Sequence, residues 1–329
     1  MRARTVLAVI AALALIIGIP VVMKFSSGGQ SQDSEIQGLR IMVPTEPGGG
    51  YDTTARSAAK VMEEAKLNSN VEVFNVPGAG GTIGLGRTAA ENGNGKLALQ
   101  MGLGVVGASY TNKSPVQLKD TTPIAKLTEE PDIIVVPKSS QYQDIKQLVQ
   151  DWKANPGGLP VGGGSSPGGP DHLAPMLTAK AAGLEPKAVN YVPFDGGGEL
   201  LASLLGGKVA FGVTGIGEVR DQIDAGELRV LAVTSAQRAA GVNAPTLKES
   251  GIDVEFTNWR GVVAPPGLND ADREKLVSLY TKLNESPQWQ DTLKRNGWTN
   301  AFQSGDEFAK FMQSENDRVA SVLKELGLA

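Results

Sequence analysis

The sequence predicts an α/β protein in which two doubly wound lobes face each other across a cleft. Apolar, strand-like runs alternate with amphipathic, helix-like segments from residue 41 onward. Glycine-rich loops follow several of these strand-like runs and lead into helix starts, and the units form two groups, one before residue 137 and one after it. Since α/β sheets bind ligands at the carboxyl ends of their strands, we expect a site between the two groups.

The first unit has the letters IMVPTEPGGG at residues 41–50 and continues with YDTTAR at residues 51–56. These residues predict a strand, a glycine loop and a helix start, with Asp52 or Thr53 available to cap the helix. Such a junction points several backbone N–H groups at one spot, where the helix dipole favours negative charge. The stretch therefore predicts half of an anion-binding site.

The remaining elements follow the same pattern. In the first group we predict a helix at 57–67, a strand at 71–76, a second glycine loop at 75–81, a helix from residue 82, and strands at 97–101 and 133–136. In the second group we predict helices at 144–152, 173–182, 199–205 and 218–225, strands at 189–194, 209–213 and 228–233, and a Gly/Ser-rich loop at 162–172. The last predicted elements are a strand at 255–264, two helices between residues 270 and 295, and a long helix at 305–327.

The composition excludes several classes of function. A net charge of −4 argues against a broad nucleic-acid surface, and 5% aromatic residues are too few for a base-stacking platform. The absence of cysteine excludes disulfides, thiolate metal sites, a thiol nucleophile and a lipid anchor on cysteine. With one histidine and no cysteine, no metal site is predicted.

The N-terminus has the features of an export signal. Arg2 and Arg4 precede an uncharged apolar run at residues 6–23, and a Ser-, Gly- and Gln-rich segment follows. The run lacks a clean Ala-x-Ala cleavage site and is nearly long enough to span a bilayer, so a cleaved signal and a retained membrane anchor are both open. Either form places the chain from residue 36 onward outside the cytoplasm.

The second glycine loop also suggests a dinucleotide fingerprint, because Gly78, Gly80 and Gly84 follow a predicted strand. A charged ribose contact should then follow the next strand, but residues 99–102 are Leu-Gln-Met-Gly. No glycine cluster ends in Gly-Lys-Ser/Thr, as a P-loop does. A small carboxylate is therefore preferred over a phosphate or nucleotide, and no cofactor is predicted.

Taken together, the loops resemble those of the solute-binding receptors of tripartite tricarboxylate transporters, also called Bug-type receptors. The similar stretches occur in order over nearly all of residues 38–329: Pro47-Gly48-Gly49 with Asp52-Thr53 and Ala55-Arg56, residues 75–81, the Gly/Ser loop before His172, Val192-Pro193-Phe194, Leu205-Gly206-Gly207, residues 231–234 with Arg238, Pro245-Thr246-Leu247 with Glu249 and Gly251, and Trp259 with Ala264-Pro265. No single loop is specific, but the ordered set is.

The resemblance implies a periplasmic-binding-protein fold of a type II-like organisation, with crossing hinge strands between the lobes. It implies an extracytoplasmic receptor that closes around a small organic carboxylate and delivers it to membrane permease subunits. Such receptors hold their ligand largely with backbone amides, hydroxyls and waters. By position, residues 1–35 would be the export segment, residues 36–137 and 259–329 lobe I, and residues 138–258 lobe II. We expect a monomer.

Carried over by position, the resemblance nominates ligand-binding residues in both lobes. In lobe I they are Gly48, Gly49, Tyr51, Asp52, Thr53, Ala79, Gly80 and Gly81. In lobe II they are Ser165, Ser166, Gly169, His172, Asp195 and Thr214. Tyr51 stands where smaller residues are common in the family. The carboxylate of Asp195 would repel an anionic ligand unless it points away or accepts from a ligand hydroxyl or amine.

The single histidine leaves an enzymatic alternative open. His172 lies near Ser165, Ser166 and Asp171 in the sequence, which are the residue types of an exported serine esterase. However, residues 164–168 do not form a G-x-S-x-G elbow, so we interpret His172 as a site-wall or helix-capping residue, with ligand contact or catalysis as alternatives. A sensor that reports carboxylates to a membrane kinase would use the same site. We expect a non-enzymatic receptor, and the sequence does not identify the carboxylate.

Two other side chains are interpreted as structural. Arg56 lies one turn inside the first predicted helix, where it would pair with a nearby carboxylate or carbonyl rather than with the ligand. Trp259 is expected to pack in the hinge rather than stack on the ligand.

Overall fold

Eleven strands in two sheets form the frame of the part of the chain that the structure describes. The structure is a computed structural model and describes residues 35–194 and 196–329. The strands are β1 Arg40–Val43, β2 Glu72–Asn75, β3 Leu97–Gly102, β4 Thr122–Glu130, β5 Asp132–Pro137, β6 Val161–Gly163, β7 Tyr191–Pro193, β8 Phe211–Gly215, β9 Leu228–Val233, β10 Asn258–Ala264 and β11 Thr299–Ser304. The predicted export signal and its apolar run at residues 6–23 lie outside the described residues.

The first sheet contains six strands in the order β11-β4-β10-β3-β1-β2. β1 is parallel to β2 and β3, whereas β10 is antiparallel to β3 and β4, and β11 is antiparallel to β4. Met42 of β1 lies beside Phe74 of β2 and Leu99 of β3. The parallel strands bring the loops after β1 and β2 to the same edge of the sheet.

The second sheet contains five strands in the order β7-β6-β8-β5-β9. β6 is parallel to β7 and β8, and β5 is antiparallel to β8 and β9. The chain crosses between the sheets at Pro131, which joins β4 to β5, and again over residues 234–257, between β9 and β10. Thr234 joins the two crossings, because its Oγ1 accepts the Asp132 N–H at 3.0 Å and lies 2.8 Å from the Phe256 carbonyl oxygen.

Helices cover both sheets. The described α-helices are α1 Gly50–Glu64, α2 Thr82–Ala90, α3 Leu103–Thr111, α4 Ile145–Ala154, α5 Pro170–Ala181, α6 Gly197–Leu205, α7 Arg220–Asp224, α8 Asp270–Glu285, α9 Pro287–Asn296 and α10 Gly305–Leu326. In α1, the buried residues Ala55, Ala58, Val61 and Met62 recur at the three- and four-residue spacing of one helix face. None of the helices in the described residues is both long enough and apolar enough to cross a bilayer.

The largest apolar core contains residues of both sheets. Met101 of β3 and Trp259 of β10 belong to it from the first sheet, and Val161 of β6 and Phe211 of β8 belong to it from the second. Two smaller cores lie between the first sheet and α1, α8 and α9, and between the second sheet and α6.

The two sheets with their helices confirm the predicted fold class. The elements that had not been predicted include α3, where only a glycine loop was expected after β3, and β11. The lobe boundaries remain a prediction. The lobe boundaries can be compared with the sheets. β5 was assigned to lobe I with residues 36–137, and it pairs with β8 and β9 of the second sheet.

Candidate functional site

A cleft of about 2040 Å³ lies between loops of the two sheets. From the first sheet it is lined by residues 45–50, 129–131 and 294–299, and from the second by residues 196–198, 216–218 and 235–240. Residues 45–50 follow β1, and residues 216–218 follow β8. The cleft therefore lies at the carboxyl ends of strands, where the glycine loops were predicted to meet.

The N-terminus of α1 opens onto this cleft. Gly49 is the N-cap, with φ −75° and ψ 174°, and has no side chain to cap the first turn. The first N–H groups of an α-helix have no acceptor within the helix, so those of Gly50, Tyr51 and Asp52 are available to a ligand, whereas the Thr53 N–H donates to the Gly49 carbonyl at 2.9 Å. Asp52 accepts the Gly48 N–H at 2.9 Å and pairs with Arg56 at 2.9 Å, which fixes the loop. Burial disfavours the Asp52 carboxylate, but these hydrogen bonds hold its pKa below the usual value.

A buried cation, Arg260 of β10, lies beside the same helix start. Arg260 is 6% exposed, and its guanidinium donates to the carboxylate of Glu130, the last residue of β4. The guanidinium also lies 5.5 Å from the centre of the Trp298 ring. A β-carbon on Gly50 would come within 2.6 Å of Arg260 Nη2, so glycine here leaves the space that the guanidinium fills. An anion bound by the first N–H groups of α1 would therefore also meet Arg260.

The part of the cleft that belongs to the second sheet contains the start of α6 and the carboxylate of Glu218. Gly196, the N-cap of α6, has φ +102°, a conformation that favours glycine. Glu218 Oε2 accepts the Thr214 hydroxyl at 3.1 Å, and a β-carbon on Gly197 would lie 2.5 Å from it. Burial raises the pKa of Glu218, and the nearby Glu130 carboxylate adds to the effect.

The loop before α5 is fixed by its own polar groups. Asp171 Oδ2 accepts the Gly164 N–H at 2.7 Å, and Ser165 Oγ accepts the Asp171 N–H at 3.0 Å. The Tyr191 hydroxyl donates to the Ser165 carbonyl at 2.6 Å. These bonds occupy the Ser165 side chain and carbonyl within the loop.

His172 belongs to the first turn of α5 and is buried. Its Nδ1 accepts the Gly168 N–H at 3.1 Å, and its ring packs edge-on against Tyr191 with ring centres 4.7 Å apart. Burial lowers the pKa of His172 to about 4, so the imidazole is neutral at pH 7. The ring thus stabilises the loop as a hydrogen-bond acceptor.

Two further carboxyl groups are buried close to the cleft. Asp132, the first residue of β5, is 0% exposed, and within the described residues neither of its carboxyl oxygens has a hydrogen-bond partner. Burial raises the pKa of Asp132 well above its usual value, and the carboxyl groups of Asp171, Glu130 and Glu218 add to the shift. Burial and two of the same neighbours, Glu218 and Glu130, also raise the pKa of Asp171. The described site is therefore rich in buried carboxyl groups.

Comparison with known proteins decides the family. Residues 54–328 match the model of TctC, the tripartite tricarboxylate transporter family receptor. The chain belongs to this family of solute receptors.

Relatives of the receptor match this chain over most of their own length. BugT of Bordetella pertussis is 30% identical over 299 residues, which cover 88% of this chain and 89% of BugT. The solved structure of the periplasmic binding protein BugD superposes with a TM-score of 0.74 at 26% identity, covering 88% of this chain and 97% of BugD. MatC from Rhodopseudomonas palustris, solved with bound malate, has a TM-score of 0.73 at 23% identity, covering 87% and 98% of the two chains, and shares the fold.

The receptor's cleft is lined by four of the predicted site residues: Gly48, Gly49, Thr53 and Ser166. Asp195 lies outside the described residues. The other predicted residues are described but are not among those that line the cleft: Tyr51, Asp52, Ala79, Gly80, Gly81, Ser165, Gly169, His172 and Thr214. No observation tests their contact with a ligand, so that assignment stays a prediction.

Several of these residues have structural partners. The Tyr51 hydroxyl accepts the Gly104 N–H at 3.0 Å, and burial raises the pKa of Tyr51 to about 12. Ala79–Gly81 form a 3₁₀ turn against α3, where a β-carbon on Gly80 would lie 2.6 Å from Ala108 Cβ. Gly169 is the N-cap of α5. Tyr51 and Gly169 thus support segments next to cleft-lining residues, whereas the turn at Ala79–Gly81 packs against α3.

Among the charged residues that line the receptor's cleft and were not predicted are Glu130, Glu218 and Arg260. A signal was available for two of them, because Arg260 is a lone charge in an apolar strand and Glu130 belongs to an acidic run at residues 129–132 between two apolar strands. Arg56 pairs with Asp52, as expected. Trp259 is fully buried, and its ring packs edge-on against Phe311 at 5.2 Å between ring centres.

Proposed function

We propose that this receptor binds a small organic carboxylate in the cleft and delivers it to the membrane permease of a tripartite tricarboxylate-type transporter. The observation that carries the proposal is the uncapped N-terminus of α1 with Arg260 buried beside it on the cleft wall. Membership of the receptor family supports the role in transport and the location outside the cytoplasm.

The chemistry of the α1 N-terminus suits a carboxylate. The N–H groups at the start of α1 and the guanidinium of Arg260 are fixed before the ligand arrives, so they replace its hydration without being ordered first. Charge-assisted hydrogen bonds of this kind are stronger than bonds between neutral groups. Gly48, Gly49 and Thr53 would surround the bound carboxylate at this end of the cleft.

Ligand contact with both sheets would couple binding to closure. Ser166 and the start of α6 come from the second sheet, whereas α1 and Arg260 belong to the first. A ligand that touches both groups favours the arrangement in which they are close, since only that arrangement makes all the contacts. The two chain crossings, at Pro131 and over residues 234–257, are the segments through which the two sheets would move.

The export segment and the remaining predicted residues complete the proposal. The receptor would be exported by its N-terminal signal, cleaved or retained as an anchor, and would act as a monomer. Tyr51, Asp52, the turn at Ala79–Gly81, Ser165, Gly169, His172, Asp195 and Thr214 would shape the site or contact the ligand through water.

Gly49→Val tests the site directly. Gly49 has φ −75°, and a β-carbon there would have no neighbour closer than 3.8 Å, so valine should fit without strain while it covers the N–H groups of α1. A screen of small carboxylates by thermal shift on the full chain would first identify a ligand, which at 100 times its Kd should add about 2.7 kcal/mol of stability. We expect Gly49→Val to lose this shift, whereas the unfolding temperature of the ligand-free protein should fall by only a few degrees, since valine is a poorer N-cap than glycine.

Gly157→Val is the matched control. The added β-carbon would have only the Ala188 carbonyl oxygen as a neighbour, at 3.7 Å, and Gly157 does not line the cleft. It should bind as the unmodified chain does. Unchanged affinity in Gly49→Val would refute the placement of the site, and a screen in which no carboxylate binds would refute the proposed function.

A further inference from the structure

The cleft is acidic near the point where β4 passes into β5. Glu130 and Glu218 line the cleft there, and Asp132 and Asp171 are buried close to them. Arg260 lies close to these carboxyl groups and already donates to Glu130. The other cations that line the cleft are Arg220, Arg238, Lys294 and Arg295. A ligand with negative charge alone would therefore leave most of these carboxyl groups without a counter-charge.

Asp132 provides a separate observation that the cluster lacks a donor. Its side chain is 0% exposed, and its two carboxyl oxygens have no hydrogen-bond partner within the described residues. Its charged neighbours are Asp171, Glu130, Glu218 and Arg260, so Asp132 belongs to the same cluster, and it is not itself among the residues that line the cleft. A buried polar group without a partner costs free energy, and a positive charge bound next to it would recover part of that cost.

A metal ion does not fit this place. Within residues 35–194 and 196–329, no three or more His, Cys, Asp and Glu side chains are arranged to hold one. The missing donor is then best supplied by the solute itself. An ammonium group has three N–H donors and a positive charge, and carboxylate oxygens accept from it.

We propose that Glu218 and Glu130, with the buried Asp132 next to them, form a subsite for an ammonium group, and that the solute is an amino-substituted carboxylate. The inference rests on the proposed function, because the carboxylate of the same molecule would bind at the start of α1 beside Arg260. Glu218 is already oriented, since Thr214 donates to its Oε2 at 3.1 Å. The two groups of the solute would thus contact opposite charges in one cleft.

The protonation of the cluster gives the inference a second signature. Burial and mutual repulsion raise the pKa values of Asp132, Asp171 and Glu218, so protons are retained in the empty cleft. An ammonium group lowers those pKa values when it binds, so protons are released and affinity rises with pH. A dicarboxylate without an amine raises those pKa values instead, so protons are taken up and affinity falls as pH rises. The ionisable groups facing the cluster are Glu130 of β4, Asp132 of β5, Asp171 of α5, Tyr191 of β7, Glu218 after β8 and Arg260 of β10.

Isothermal titration of the unmodified full chain tests the inference with matched ligand pairs. Glutamate is compared with glutarate and aspartate with succinate, since the members of each pair differ by one amino group, and putrescine provides an amine without a carboxylate. We expect at least one amino acid to bind about tenfold or more tightly than its partner, as a charge-assisted hydrogen bond allows. Titration in buffers of different ionisation enthalpy should show proton release for the amino acid.

Glu218→Gln should reduce the preference within a pair to about onefold. Glu227→Gln, at an exposed residue outside the cleft lining, is the control and should keep the full preference. Equal or tighter binding of the plain acids, or a preference that survives in Glu218→Gln, would overturn the ammonium subsite while the carboxylate receptor stands. Binding of putrescine but of no carboxylate would support the subsite and refute the proposed function, and binding of none of these ligands would count against both.

Discussion

Replacing Gly107 with alanine tests how closely α3 packs against the loop before α5. Gly107 lies inside α3, and a β-carbon there would overlap the carbonyl oxygen of Gly168 and come within 2.6 Å of its carbonyl carbon. The Gly168 N–H donates to His172 Nδ1 at 3.1 Å, so the loop is held in place. The overlap is with backbone atoms, and it can be relieved only if α3 or the loop moves.

The expected magnitude combines two opposing effects. Alanine favours a helix over glycine by about 1 kcal/mol. Overpacking costs about 1–3 kcal/mol, and the upper end applies here because backbone must shift. We therefore expect the free energy of unfolding to fall by about 2 kcal/mol in Gly107→Ala, which corresponds to a Tm lower by about 4–8 °C. Gly86→Ala in α2 has no neighbour within 4 Å of the added carbon and should instead gain about 1 kcal/mol.

Urea unfolding followed by tryptophan fluorescence measures both variants, since the chain contains 4 tryptophans. The opposite signs are the decisive result, because the two substitutions are identical and both lie within helices. A Gly107→Ala protein as stable as the unmodified chain, alongside a stabilised Gly86→Ala protein, would refute the close contact between α3 and the loop.

Three further outcomes follow from the described contacts. Asp132→Asn should stabilise the empty receptor at pH 8 and change its stability little at pH 4. Burial raises the pKa of Asp132 above 3.8, so the stability that the protonated group contributes is complete below pH 3.8 and is lost as pH rises. Urea unfolding that gave an equal gain in stability at both pH values would contradict this. Gly80→Val should lower the unfolding temperature itself, because φ is +62° and the β-carbon would meet Ala108 Cβ at 2.6 Å; a normal thermal transition would count against this packing. No turnover of an activated ester such as p-nitrophenyl acetate is expected, because Ser165 Oγ and His172 Nδ1 both accept backbone N–H groups; turnover that disappears in Ser165→Ala or in Ser166→Ala would show a hydrolase.

Local patterns in the sequence were sufficient for most of the fold. The glycine loops at residues 47–50 and 75–81 could be placed at strand ends because apolar runs precede them and helix-like segments follow. Helix α3 could not be found in this way. Val105, Val106 and Ala108 are all buried, so the helix is apolar on several sides and has no amphipathic period, and its glycines resemble a loop.

The charged part of the site depends on contacts that are distant in the sequence. Arg260 reaches Gly50 only because β10 returns to the first sheet and lies between β3 and β4. Glu218 meets the Glu130 region because β8 pairs with β5 directly after the chain crossing, with Gly215 opposite Asp132. Sequence spacing contains no information about either pairing, so the glycine loops were predicted while the charges between them were not.

The distribution of charge in the cleft affects which ligands can favour closure of a receptor of this fold. A lone carboxylate at α1 and Arg260 needs contacts only from the first sheet. It leaves the Asp132 carboxyl group without a hydrogen-bond partner and Glu218 without a counter-charge. A solute that also carries an ammonium group reaches Glu218 on the second sheet, and its binding energy then depends on both sheets being close. Because a ligand shifts a conformational equilibrium only by its difference in affinity for the two states, the second contact is what favours closure. The buried acidic groups destabilise the empty receptor, but they would also make closure require a ligand with an ammonium group. This role in recognition would offset their cost in stability.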